Sequence, residues 1–326
     1  MYLSDLAPKE LVQEIFDAMK QQTLKMLPST VNFSLRFTNE DRLRIYATEV
    51  AADAGHWRYE IRITERLLHL VTNYFFALAR CVPSANGIEL PDAQASGIPL
   101  PFVPQVETVE QKLNQIDPDA EIDNDRISLF LDYAREAWSI LLFHETAHIT
   151  EGHLRFIQEN EALFRSQAAY SRACEYEADR VAARWVTERI LLNGSPWKRG
   201  ALIGDNLAKI DPHFLAEVAS LLFLLSNVDA GLQTENYLHS DVRHFMMITN
   251  LMKQLSWDSD EASHEALLKH MTAATDKYVL MLGQPSLRKP TLIMSISLED
   301  QGTAFAQVYD EWVTHSPEWE RYRFRR

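Results

Sequence analysis

Cysteine is almost absent from this chain. Cys81 and Cys174 are the only two in 326 residues, too few for the disulfide framework of a small secreted domain or for a cysteine-built zinc site. Both read as small buried residues rather than ligands or nucleophiles. Long apolar runs are missing as well. The most apolar stretch, 214–228, contains Glu217 and is shorter than the roughly 20 residues a membrane span requires, so it reads as a buried helix. The opening Met1-Tyr2-Leu3-Ser4-Asp5-Leu6 has no basic stretch leading into an apolar one, and so does not read as a secretory signal. Positive charge is scarce: 32 Lys and Arg against 46 Asp and Glu leave a net charge of −14, which argues against a broad nucleic-acid surface. The local exception is the C-terminal run Arg321-Tyr322-Arg323-Phe324-Arg325-Arg326. It reads as a solvated tail, with contact to an acidic partner or RNA as the alternative. Internal repeats and low-complexity segments are lacking too. These absences, with an ordinary 46% hydrophobic and 24% charged composition, predict a soluble, cytoplasmic protein whose core needs no staples.

The apolar pattern predicts helices and a few strands. Leu6, Leu11, Ile15, Phe16 and Met19 recur at helical spacing over residues 5–27. Period-two alternation follows in 31–37, 43–47 and 57–63, three expected strands of a small antiparallel sheet with one wet face. A helix is expected over 64–81. Residues 82–124 break the pattern with Pro83, Pro91, Pro99, Pro101 and Pro104 and a run of acids; a loop of that length is usually functional. Beyond Asp125 the chain reads as helix, interrupted at Asn193-Gly194-Ser195-Pro196 and near Gly283-Gln284-Pro285. The expected fold class is therefore α+β, a mostly helical body carrying a small N-terminal antiparallel sheet. Residues 1–124 supply the first helix, the sheet and the Pro-rich loop, 125–255 the helical metal-binding region, and 256–326 a C-terminal helical extension.

The chemistry is concentrated in His144-Glu145-Thr146-Ala147-His148, which ends the apolar helix expected from residue 127 onward, with Asn124 or Asp125 as its N-cap. Histidines at i and i+4 lie one above the other on one helix face, so both imidazoles can reach one metal ion. Glu145 points to the side, within reach of a water polarised by that metal, and is the expected base. A bare HExxH arises by chance often enough to need support. The support is a third ligand, because a hydrolytic zinc site takes three protein donors and keeps one position open. His153 would lie about 140° round the helix from His148 if the helix continued, a poor ligand. Glu175 and Asp179 form a second i, i+4 pair, on a helix expected to start near Ser171. Glu175 is the expected third ligand, with Glu177 as a rival turned to the other side. Asp179 is expected to hold the free nitrogen of a ligand imidazole, His144, and so fix its tautomer. Ala178, Ala182 and Ala183 would let the two helices approach closely.

The pattern HExxH followed by ExxxD resembles the gluzincin metallopeptidases. The wording Glu175-Tyr176-Glu177-Ala178-Asp179 is similar to that of the CAAX prenyl protease and HtpX-type peptidases, which carry membrane helices that this chain lacks. The layout, including 61–64 running into an aromatic-rich helix with Asn73-Tyr74-Phe75-Phe76, looks most like the soluble phage-exclusion Lit peptidase family. That resemblance implies a zincin-like catalytic body, a Zn2+ cofactor, and a zinc endopeptidase acting on a cytoplasmic host protein in antiviral defence. The family's target is the translation factor EF-Tu. The resemblance also implies a downstream His-Pro element ending in Arg. Its counterpart here is Tyr237-Leu238-His239-Ser240-Asp241-Val242-Arg243, in which Ser240 replaces the proline and Arg243 sits closer to the histidine. By that likeness His239 would stabilise an oxyanion and Arg243 would buttress it.

Two other functions share these residues: a housekeeping soluble metallopeptidase, and a non-catalytic regulatory or binding module that keeps its zinc. Glu145 weighs against the last, since a purely structural site has no use for it. An enzyme that cuts a central host protein has to be latent, so an activating peptide or protein is expected, with the 82–124 loop as gate. An extended substrate would add to a sheet edge. Residues 57–63 are either that edge or an interior strand whose Arg58 and Arg62 face water, and the 31–47 hairpin is the next place to look.

Overall fold

The computed structural model describes residues 7–53, 55–81, 113, 124–193, 212–226, 240–254 and 298–324. In chain order the elements are α1 (Pro8–Leu24), β1 (Val31–Thr38), β2 (Ile45–Asp53), β3 (His56–Thr64), α2 (Glu65–Cys81), α3 (Asn124–Thr150), α4 (His153–Glu159), α5 (Glu161–Ser166), α6 (Ala168–Asn193), α7 (Pro212–Ser226), α8 (Ser240–Gln254) and α9 (Leu298–Trp319), the last followed by a 3-10 turn, Glu320–Tyr322. The fold is α+β and mostly helical, with one small sheet among the described residues. The gate expected at 82–124 lies outside the described residues apart from Leu113 and Asn124, and so does the break expected near Gly283.

Each element follows from its pattern. In α1, Pro8 occupies the first turn, where its missing N–H costs nothing, and Val12, Ile15, Phe16 and Met19 form one buried face. That face covers β1 and α3; Phe16 meets Phe33 edge to face, their ring centres 5.8 Å apart. The inner face of the sheet is built by alternation. Phe33, Tyr59, Ile61 and Ile63 are buried, while Arg36, Arg58 and Arg62 lie on the opposite face, where Arg62 pairs with Glu60 at 2.9 Å.

The pairing within the sheet differs from expectation. The strand order is β1-β3-β2, with β1 parallel and β2 antiparallel to β3. The sheet is mixed rather than antiparallel, 31–47 is not a hairpin, and 57–63 is the central strand rather than an edge. Alternation dictates which side chains share a face but not which strand lies alongside. One consequence carries into function: among the described residues no strand pairs with the outer edge of β2, which lies beside α3.

Helix α3 runs through the middle, touched by α1, α2, α6, α7 and the sheet. Its residues Phe130, Tyr133, Ala134, Ala137, Trp138, Leu142 and Ala147 are buried. A helix apolar on nearly every side must be covered on every side. Several of the polar residues that it buries are paired. Arg189 of α6 donates to Ser139 Oγ at 2.8 Å and forms an ion pair with Glu136, and the Tyr133 hydroxyl donates to Glu217 of α7. Left alone, a buried carboxylate would cost several kcal/mol. Cys174 is free and buried, as expected. Among the described residues no helix is long and apolar enough to cross a membrane.

Candidate metal centre

The small residues of α6 do what their size allows. Ala178, Ala182 and Ala183 are fully buried against the core, α6 packs on α3, and the carboxylates of α6 reach the histidines of α3. His144 Nε2 and His148 Nε2 lie 3.1 Å apart, His144 Nε2 lies 3.3 Å from Glu175 Oε2, and His148 Nε2 lies 3.6 Å from Glu175 Oε1. One ion bound at zinc's usual bond lengths of about 2.0–2.2 Å with tetrahedral angles holds its donors roughly 3.3–3.5 Å apart. The triangle therefore matches the span of three donors on a tetrahedral centre, and His144, His148 and Glu175 form a buried group able to hold a metal ion.

The charges of the group are closely coupled. Burial alone would lower the His144 pKa, but Asp179 and Glu175 beside it raise it to about 10. His148 is lowered by burial to about 3, against the pull of Glu175. Burial would raise Glu175, yet Arg243 and the two histidines hold it well below the usual carboxylate range. Asp179 is likewise held down, burial being outweighed by Arg243 and His144. Both carboxylates of α6 thus stay ionised.

The expected partner of His144 is in place: its Nδ1 lies 2.8 Å from Asp179 Oδ1, which leaves Nε2 facing Glu175 and His148. Arg243, on α8, holds Asp179 with two bonds (Nε to Oδ2 at 3.1 Å, Nη2 to Oδ1 at 2.9 Å) and stands 3.5 Å from Glu175. His239 lies outside the described residues. Asp179→Asn is expected to weaken metal affinity roughly 10- to 100-fold, the usual cost of losing a carboxylate behind a ligand histidine. Competition against a chelating indicator measures this, and wild-type affinity would detach Asp179 from the site.

Glu145 is buried close to the group, where His144, Glu175 and Arg243 act on its charge. The Ala47 N–H, projecting from the free edge of β2, donates to Glu145 Oε2 at 2.7 Å. Burial pushes the Glu145 carboxyl up to about 7; Glu175 adds to the rise, while His144, the Ala47 N–H and Arg243 oppose it.

Other participants were not apparent from the sequence. α3 stops at Thr150 because Gly152 takes a left-handed conformation (φ 81°), the usual glycine stop beyond a helix end. The chain turns and brings His153 back, its Nδ1 3.0 Å from His148 Nδ1. His153 Nε2 is 3.0 Å from Glu177 Oε2, so Glu177 faces His153 and is not part of the His144–His148–Glu175 group. Burial would raise Glu177, but His153, Arg323 and Trp319 hold it at about 2. The basic run does not behave as a solvated tail through residue 324: Tyr322 is buried, and Arg323 pairs with Glu177, Glu151 and Glu320. The signal that could have revealed the turn was Gly152 itself, one residue before a histidine.

Comparison with protein-family models, with curated proteins and with solved structures returns no match.

Proposed function

We propose that this chain is a zinc-dependent endopeptidase. The observation that carries the reading is the position of Glu145, a buried carboxylate set between the His144–His148–Glu175 group and the free edge of a β-strand. Two imidazoles and a carboxylate with near-equal separations favour zinc over the larger, oxygen-preferring cations. When bound, zinc supplies Lewis acidity, polarising a carbonyl and lowering the pKa of a coordinated water to about 7.

The chain's own residues do the rest. Glu145, fixed through Oε2 by the Ala47 N–H, takes up at Oε1 the proton that the attacking water loses as its oxygen bonds to the peptide carbonyl carbon, and returns it to the amine nitrogen as the C–N bond breaks. Asp179 holds the His144 ring, and Arg243 keeps Asp179 and Glu175 charged and in place. The edge of β2 offers backbone groups to an extended peptide running past Glu145. Likeness to the Lit-type peptidases supports a cytoplasmic protein as substrate, with the translation factor EF-Tu the first to test, phage exclusion the setting and a partner the activator.

Two prolines on β2 test the edge. In an antiparallel ladder alternate residues turn their N–H groups toward and away from the partner strand. Ala47 turns outward to Glu145, so Ala47→Pro removes an edge donor and spares the pairing with β3. It is expected to keep zinc and most of its thermal stability while losing cleavage of a peptide library, and Thr48→Pro is expected to destabilise the fold. Cleavage by Ala47→Pro at the wild-type rate would remove the Ala47 N–H, both as support for Glu145 and as part of the working edge, from the mechanism.

A further inference from the structure

The 319–324 segment packs on the end of α3 and on the buried Glu177 of α6, and no step above uses it. Trp319 Nε1–H donates to Glu177 Oε2 at 2.6 Å, and the Arg323 guanidinium pairs with Glu177 Oε1. Arg323 also reaches Glu151 at 3.0 Å, and the Phe324 N–H donates to the Thr150 carbonyl, the last residue of α3, at 3.1 Å. The backbones come unusually close: a Cβ at Gly152 would sit 2.5 Å from the Tyr322 carbonyl carbon. Phe324 covers Trp57 and Tyr59 of β3, with ring centres 6.2 and 6.0 Å away. The segment therefore ties together the end of α3, the buried carboxylate of α6 and the sheet.

Proton placement makes this more than packing. For His148 to offer the Nε2 lone pair to a metal, its Nδ1 must carry the hydrogen and donate it to His153 Nδ1. A neutral His153 then carries its own hydrogen on Nε2, directed at Glu177. Each bond in the chain His148–His153–Glu177 permits one arrangement only, provided that Glu177 stays an acceptor in its present place. Trp319 and Arg323 keep it there, with Arg180 of α6 contributing from 3.3 Å.

We propose that the 319–324 segment is a positioning device for the metal centre: docked on Glu177, it fixes His153 and, through it, the tautomer and orientation of His148, so that docking of the segment and metal binding are energetically coupled. The inference rests on the reading of His144, His148 and Glu175 as metal ligands. Trp319, Arg323, Glu177 and His153 act through His148 and are positioning residues. Coupling is reciprocal, so zinc must tighten the docking of the segment by the same factor as docking tightens zinc.

The test uses the full chain, with zinc alone as probe. Zinc affinity is measured by indicator competition for wild type, Trp319→Phe, Arg323→Ala, Arg323→Lys and Gly152→Ala. Hydrogen exchange of peptides covering 319–324 is followed with and without zinc. Trp319→Phe, which keeps the aromatic packing, and Arg323→Ala are each expected to weaken zinc binding about tenfold, the low end of losses behind a ligand histidine. Arg323→Lys should recover part of that loss, and zinc should slow exchange at Phe324 in wild type. If the segment is merely structural, the variants will lose thermal stability yet bind zinc as wild type does, with exchange at Phe324 indifferent to zinc; that result overturns the proposal and leaves the metal site standing. Wild type that binds no zinc would overturn both. Should Gly152→Ala fail to fold, the exchange measurement on wild type still decides.

Discussion

Glu175→Ala or His148→Ala is expected to strip the protein of zinc. Wild type dialysed against metal-free buffer should retain one zinc per chain, and either variant close to none. The expectation follows from three donors sharing one ion. Zinc bound by a full donor set is worth on the order of 10–16 kcal/mol, so one ligand's share is roughly 3–4 kcal/mol, or several hundredfold in affinity. The fold should survive, because α3 is held by apolar residues on α1, α2, α6 and α7 rather than by the ion. Elemental analysis with a thermal melt reads both quantities. Full occupancy in either variant would break the ligand assignment.

Glu145→Gln should give the opposite dissociation, with zinc content unchanged and peptide cleavage reduced by about 10²- to 10⁴-fold, the range associated with a positioned proton-transfer group. The amide keeps the size of the side chain and an oxygen that can still accept the Ala47 N–H, so its effect isolates proton transfer. Residual cleavage near the wild-type rate would move the base elsewhere.

The grouping of His144, His148 and Glu175 was legible in the sequence because helical periodicity sets which residues share a face. Residues four apart on α3 face one way, residues four apart on α6 face back, and alanines between them permit the approach. The pairing of Asp179 with His144 was legible for the same reason. The sheet was legible only as strands. Alternation in 57–63 sets Ile61 and Ile63 inward, but whether β3 lies at an edge or in the centre depends on where β1 arrives from elsewhere in the chain. The role of His153 was hidden by the assumption that α3 continues, which Gly152 ends. The basic run was visible as charge, while its partners Glu151 and Glu177 lie more than a hundred residues away, and no local signal joins them. The link between Glu145 and Ala47 was hidden likewise, since a backbone donor leaves no trace in composition.

The central claim, that this buried site cuts peptide bonds, is tested most directly by mapping new protein N-termini in cells that express either wild type or Glu145→Gln at matched levels and zinc contents. The expected result is a small set of new N-termini present with wild type and absent with Glu145→Gln. Identical profiles from the two zinc-loaded proteins, with any proposed activator supplied, would contradict the claim and leave a zinc-holding binding module in its place.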